Sequence, residues 1–348
     1  VLGAEQLEAV RMQRVQVQLG LEYTVDIADS GEPAAMGQRS HAFCKHRTTD
    51  PVDGHVGARA SFAIQASDWP TAEQMLIRVV EAAPNDLERL RQLAEVKIQL
   101  GKNAEALTLY QRLLQAAEAG GQPAPAEYYS RTAALMLDQG QQGPWLELSR
   151  RMLRAYPTSE NWRETLVRYR QMAGDNVALG MDVRRLMRVA NAFPRTGDYI
   201  EFADRLGRSG LPAEEKAVLE EGIRRGIIPA GDSSARQMIA QADVRIAEDR
   251  PTLARSRTQA LAGTGRQARV MGDAYYAYGQ YADAAELYRA ALQKGGEDAG
   301  MVNTRLGAAL ALGGQRAEAE AAFRAVTGTY ANLAQLWLAW LERPAPAG

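Results

Sequence analysis

The stretch that decides the fold is GDAYYAYGQYADAAELYRAAL, residues 272–292. Small and aromatic residues recur in it at the spacing of helical turns, and Gly279 divides it into two short segments. The stretch LGAALALGGQRAEAEAAFRAV at residues 306–326 repeats the pattern, and Ala319 lies 35 residues after Ala284. A fixed period of this length predicts an array of helix pairs, because one pair cannot bury its apolar faces alone and must stack on its neighbours.

Further copies of this unit occur upstream. LAEVKIQLGKNAEALTLYQRLL at residues 93–114 and SDWPTAEQMLIRVVEAAP at residues 67–84 place Ala106 and Ala72 in the same frame, 34 residues apart. We expect Ala106 to lie where the two helices of its unit come closest, with the bulky Tyr110 filling the space beside it. Ala284 and Tyr288 are predicted to play the same two parts in the later copy.

The repeat also predicts the turns between the helices and the places where a copy departs from the pattern. Glycines between paired helices should form the turns, since glycine takes a positive φ without steric cost; they are Gly101, Gly140, Gly279 and Gly314. Glu215 and Trp145 stand where the repeat usually has a small residue, and the helix pair at Trp145 is expected to open somewhat. Residues 233–263 fall within the two periods from Glu215 to Ala284 and are predicted to be a degenerate copy.

The pattern resembles that of tetratricopeptide repeat proteins over roughly residues 66–330. The resemblance implies an all-α, tetratricopeptide-type helix-turn-helix solenoid, a right-handed superhelix of about six to eight helix pairs. The predicted organisation is a non-repeat leader at 1–65 with one helix at 5–23, a repeat array at 66–328 that includes degenerate copies, and a closing helix and tail at 329–348. Within the leader, residues 24–66 are expected to be irregular, because Gly, Pro, Ser, Thr and Asp interrupt any helical period there.

A narrower resemblance concerns NWRETL at 161–166, the stretch GDYIEFADRLGRSGLPAEEKAVLEEGIRRG at 197–226 and AQLWLAWLE at 334–342. These stretches are similar to a group of exported proteobacterial repeat proteins whose members begin with a signal peptide. The resemblance implies a periplasmic location, with a cytoplasmic one as the alternative. The chain starts without a Met and without a basic-then-apolar leader, so we expect that a signal was removed or the chain was trimmed.

The bulk composition disfavours several functional classes. Lys and Arg number 41 against 42 Asp and Glu, which gives a formal net charge of -1 and no global basic field for nucleic acid. The one cysteine excludes an intramolecular disulfide, and no apolar run is long enough to predict a transmembrane segment.

Repeat arrays of this kind usually bind an extended peptide along the groove that the first helix of each unit lines. The side chains expected on that groove are Glu88, Arg91, Glu95, Glu127, Arg266, Arg269, Asp273 and Tyr276. Their mixture of charge and an aromatic ring suits a peptide with charged side chains and an apolar anchor. The alternative is a set of solvated helix faces with pairs such as Arg91 and Glu95.

The stretch SHAFCKHRTTDPVDGH at residues 40–55 holds all the histidines and the cysteine of the chain. His41, Cys44, His46 and His55 could ligate Zn²⁺, which would make the protein a metal-binding protein or an enzyme. Their spacing matches no common zinc motif, and no GxSxG, HExxH or paired CxxC occurs. The favoured interpretation is a non-repeat segment, so no enzymatic activity and no cofactor are predicted.

The C-terminal helix carries a stripe formed by Leu333, Trp337 and Trp340, which is predicted to close the array by docking onto the last unit. Leu336 and Leu338 lie off this stripe and are expected to leave part of the helix apolar and exposed. The predicted function is a non-enzymatic scaffold for a protein or peptide partner, with a self-assembling structural module, a homo-oligomer, as a further alternative.

Overall fold

The computed structural model describes residues 51–343, with side chains from residue 55 onward. The described residues contain seventeen α-helices and one 3-10 turn and no strand. In chain order they are α1 Pro51–Gln65, α2 Trp69–Ala82, α3 Leu87–Gln99, α4 Asn103–Glu118, α5 Ala126–Asp138, α6 Gln142–Ala155, α7 Ser159–Met172, α8 Val177–Val189, α9 Thr196–Arg208, α10 Pro212–Arg224, α11 Ser233–Asp249, α12 Leu253–Ala262, α13 Gly265–Ala277, α14 Tyr281–Lys294, α15 Ala299–Leu312, α16 Arg316–Arg324, the 3-10 turn Gly328–Tyr330 and α17 Ala331–Glu342.

These helices are arranged as eight consecutive pairs, from α1 and α2 to α15 and α16, followed by α17. The predicted all-α helical repeat is therefore confirmed. The four turn glycines all take a positive φ, between 69° and 79°. Ala106, Tyr110, Ala284 and Tyr288 are all fully buried, as the repeat predicts. Among the described residues, no helix is both long and apolar enough to cross a membrane.

The N-terminal boundary of the array differs from the prediction. Helix α1 occupies residues 51–65, which were expected to be irregular, and it packs against α2 as the first helix of a unit. Ala60 and Ala63 are buried in this packing. Pro51 does not interrupt the helix because it is the first helical residue, where the missing N–H has no partner to lose. The predicted helix at 5–23 and the rest of the leader lie outside the described residues.

The pair formed by α11 and α12 is loosely packed. Helix α11 packs against α10, and α12 packs against α13, but the two helices make little contact with each other. The buried residues of this pair are alanines only: Ala235, Ala242 and Ala260. Residues 233–263 are thus two helices, as a degenerate copy predicts, but their large apolar side chains, such as Met238 and Leu253, are only partly buried.

The last helix, α17, closes the array as predicted and also packs against a helix from the middle of the chain. Trp337 stacks on Phe323 with ring centroids 5.5 Å apart, which is the expected docking onto the last unit. Helix α17 also packs against α6, and Arg154 forms an ion pair with Glu342 at 2.5 Å. The prediction that Leu336 and Leu338 leave part of the helix exposed is wrong: they are 0% and 8% exposed in a helix that packs against α6 as well as the last unit.

Helix α8 lies at the centre of the folded chain. Nine of its thirteen residues are buried, including Asp182, Arg184 and Arg185. The backbone carbonyl of Val189, at its C-terminal end, accepts a hydrogen bond of 3.2 Å from Trp340 Nε1. The C-terminal units therefore fold back onto the middle of the array, so that this part of the chain is closed on itself rather than an open solenoid.

Gly307 offers a test of the packing within the last pair. A Cβ at this position would lie 2.5 Å from Cε1 of Phe323, so an alanine has no room. We expect Gly307→Ala to lower the free energy of unfolding by about 1–3 kcal/mol, despite the better helix propensity of alanine. Urea denaturation followed by circular dichroism measures this. Gly143→Ala is the control, because Gly143 is also helical and no atom lies within 4 Å of a Cβ there. Equal stability of the two variants would contradict the predicted packing.

Candidate functional site

Four of the predicted groove residues lie together on an accessible surface. Glu88, Arg91 and Glu95 lie on α3, and Glu127 lies at the start of α5. Glu88 and Glu127 are exposed, and Arg91 and Glu95 are half-buried. This surface, completed by Tyr128 and Arg131 of α5, is called the N-terminal face below.

Ion pairs order the N-terminal face. Arg91 donates from Nε and Nη2 to the two carboxylate oxygens of Glu88, at 3.0 and 2.8 Å. This bidentate contact holds the pKa of the Glu88 carboxyl below its ordinary value. Arg131 Nε lies 3.3 Å from Glu95, which links α3 to α5, and the Tyr110 hydroxyl also donates to Glu95. The predicted pairing of Arg91 with Glu95 is thus replaced by Arg91 with Glu88 and Arg131 with Glu95.

The other four predicted residues, on α13, have a different environment. Arg266 is exposed, Arg269 is half-buried, and Asp273 and Tyr276 are buried. Asp273 accepts hydrogen bonds from Arg305 Nη1 at 2.9 Å, from the Tyr288 hydroxyl at 2.8 Å and from Arg269 Nη1 at 2.7 Å. Asp273 and its partners therefore hold the molecule together from inside, whereas Arg266 remains accessible.

Asp273 belongs to a buried network of charges, here called the internal ion cluster. Its members are Asp182, Arg185, Glu214, Asp273 and Arg305. Arg305 Nε lies 3.0 Å from Asp182, Arg185 Nη1 lies 3.0 Å from the same carboxylate, and Arg185 Nη2 lies 2.7 Å from Glu214. The cluster joins α8, α10, α13 and α15, so it fixes the C-terminal units against the middle of the array.

The electrostatics of the cluster favour its charged form. Burial by itself lowers the pKa of Arg305, but Asp182 and Asp273 outweigh this and raise the pKa above its ordinary value. The guanidinium of Arg185 also lies 4.5 Å from the ring centroid of Tyr276, a cation–π contact. The cluster is consistent with a structural part in the fold, since every member is paired.

Sequence reasoning missed the internal ion cluster. Arg305 and Asp182 are 123 residues apart, and repeat periodicity carries no information about contacts at that separation. One local signal was available: MDVRR at residues 181–185 places three charges in a helix whose other residues, apart from Arg188, are apolar. Charges there indicate either an exposed helix face or buried partners.

Glu215 shows how the array accommodates a carboxylate where a small residue is usual. A Cβ on Gly207 would lie 2.7 Å from Glu215 Oε2. The glycine on the facing helix α9 therefore leaves the space that the carboxylate occupies. Arg245 Nη2 donates to the same oxygen at 2.7 Å. Burial raises the pKa of the Glu215 carboxyl, and Arg245 opposes this only in part.

The raised pKa of Glu215 predicts a pH dependence of stability. The folded protein binds this proton more tightly than the unfolded chain, so the contribution of Glu215 is largest at low pH and is lost as the pH rises through the folded-state pKa. We therefore expect the stability of Glu215→Gln relative to the parent protein to increase between pH 4 and pH 7, measured by urea denaturation. Glu220→Gln, an exposed position on the same helix, is the control for loss of one charge. The prediction would be contradicted if the difference in free energy of unfolding between Glu215→Gln and the parent protein stayed constant with pH.

The candidate metal ligands are mostly outside the described residues. His41, Cys44 and His46 fall there, and His55 lies exposed on α1. Within the part of the chain that the structure describes, no group of three or more His, Cys, Asp or Glu side chains is placed to hold a metal ion.

Comparisons with known proteins identify no family for this chain. No family model matches the chain, and no curated protein matches it. Among solved structures, a tetratricopeptide repeat protein from Parabacteroides merdae ATCC 43184 is 12% identical, with 83% of this chain and 98% of that chain covered and a TM-score of 0.31. The C-terminal part of a TPR repeat-containing protein from Cytophaga hutchinsonii is 10% identical, with coverages of 80% and 98% and a TM-score of 0.35. Similarity at this level says nothing about a ligand or an activity.

Proposed function

We propose that the protein is a non-enzymatic scaffold that binds a peptide or protein segment along its N-terminal face. The observation that carries this proposal is the accessibility of Glu88, Arg91, Glu95 and Glu127, at repeat positions where helix-pair arrays present side chains to ligands. At the corresponding positions of α13, Arg269 and Asp273 form ion pairs within the chain and Tyr276 is buried, so that Arg266 is the accessible member of the set.

The chemistry of the N-terminal face suggests what the partner presents. Arg91 and Arg131 are each paired with a glutamate, whereas Glu127 is exposed and makes no ion pair with any described residue. The face therefore has an excess of one negative charge. The half-buried Tyr128, Ile98 and Leu137 supply apolar surface near it. A segment with a basic side chain next to an apolar anchor fits this combination.

Site-specific photo-cross-linking in a native extract tests the proposal. A benzophenone amino acid replaces Ala134, which is exposed on α5, or Thr108, which is exposed on α4 outside the groove positions. We expect one protein partner to be captured at position 134 and not at position 108. Glu127→Arg should then weaken binding of the captured segment in a titration. Equal labelling from both positions, or an affinity unchanged by Glu127→Arg, would refute the proposal.

The same experiment separates the alternative of self-assembly, because a second copy of this chain captured at position 134 would support a structural oligomer.

A periplasmic location is also proposed, on the resemblance to exported repeat proteins. Fractionation of cells of the source bacterium, with detection of the chain by antibody, tests it, and recovery with cytoplasmic markers would overturn it.

A further inference from the structure

A large cleft lies beside the internal ion cluster, and Arg185 and Glu214 of that cluster are part of its lining. It is bounded by α8, α10, α11 and the C-terminal end of α13, with Trp340 of α17 at one edge. Its volume is about 710 Å³. This is within the range of small-molecule sites, which is about 300–1,000 Å³. It is called the central cleft below.

The side chains that line the central cleft are predominantly basic. Three acidic residues line it, Glu214, Glu220 and Glu221, against six basic ones: Arg185, Arg188, Lys216, Arg224, Arg225 and Arg250. Four of the basic groups form ion pairs; Arg188, for example, lies 2.7 Å from Glu221, and Lys216 lies 2.5 Å from Asp243. Among the side chains that the structure describes, from residue 55 to residue 343, Arg224 and Arg250 form none. Basic side chains therefore outnumber acidic ones in the lining, and two exposed guanidinium groups are available to a ligand.

Aromatic rings complete the lining. Tyr276, Tyr281 and Trp340 present apolar surface in the same cleft as the basic groups. Rings beside guanidinium groups bind the carbon skeleton of a ligand while the charges bind its anionic groups.

We propose that the central cleft binds a small organic anion with two or more negative charges, held by Arg224 and Arg250. This site is distinct from the N-terminal face, and it stands whether or not that face binds a peptide. Carboxylate and phosphate groups share the required chemistry, since guanidinium accommodates both.

Calorimetric titration of the full chain with citrate and, separately, with tripolyphosphate tests the site and distinguishes the two anion types. We expect at least one probe to bind with a 1:1 stoichiometry and an affinity that falls with added salt. The double variant Arg224→Gln/Arg250→Gln should raise the Kd of that probe by about tenfold or more. The control Arg316→Gln/Arg324→Gln removes two exposed arginines that pair with Glu320 outside the cleft, and should leave the Kd unchanged.

The proposal is overturned if neither probe binds, or if the arginine variant and its control bind the probe equally well.

Discussion

Trp337→Ala is expected to lower the free energy of unfolding by about 3–5 kcal/mol, the usual cost of removing a large buried aromatic side chain. Trp337 is 1% exposed, stacks on Phe323 and makes an edge contact with Trp340 at 5.4 Å. Its loss leaves a cavity between the last unit and the helix that closes it. Because whole domains are stable by only about 5–15 kcal/mol, the variant should unfold at a markedly lower urea concentration.

Two controls define this result. Phe62→Ala removes an aromatic ring that is 70% exposed, and should change stability by no more than about 0.5 kcal/mol. Trp337→Phe keeps most of the packing and removes an indole N–H that has no partner among the described residues, so it should cost much less than alanine. Equal stability of Trp337→Ala and Phe62→Ala would show that α17 is not docked as described.

Hydrogen exchange of Trp337→Ala adds a test of closure. A helix that only capped the last unit would, when loosened, increase exchange in α15 and α16. Since α17 also packs against α6, we expect faster exchange in residues 142–155 as well. Unchanged exchange in α6 would contradict the closed arrangement.

Arg305→Met is expected to cost about 3 kcal/mol or more, because it leaves the buried carboxylates of Asp182 and Asp273 with one fewer cationic partner each. The cost of burying those charges remains after the attraction that offset it is removed. Urea denaturation at pH 7 measures this loss.

Arg316→Met is the matched control. It removes an exposed arginine whose partner, Glu320, lies four residues away on the same helix, and it should change stability by no more than about 0.5 kcal/mol. A loss for Arg305→Met as small as that of the control would mean that the internal ion cluster does not hold the C-terminal units in place.

The repeat itself was readable from the sequence because its determinants are local. Ala284 and Tyr288 lie four residues apart on one helix, and Gly279 sits in the turn before it, so a single period contains everything needed to specify a helix pair. The sequence predicted the N-terminal boundary of the array less accurately. Gly, Pro and Asp in residues 51–65 were interpreted as helix breakers, whereas Pro at the first helical position and alanines on the buried side are compatible with α1.

Only the tertiary structure decides which helix surfaces remain accessible to a partner. Asp273 and Tyr276 occupy the same repeat positions as Glu95 and Ile98, yet the first two are buried and the others are not. The difference arises because α8 packs against the C-terminal units through contacts such as Arg305 with Asp182, 123 residues apart. The period of the repeat predicts how each unit packs against its neighbours. The curvature of the array, which brings distant units together, is the sum of many small differences in packing, so the sequence of a single repeat does not determine it.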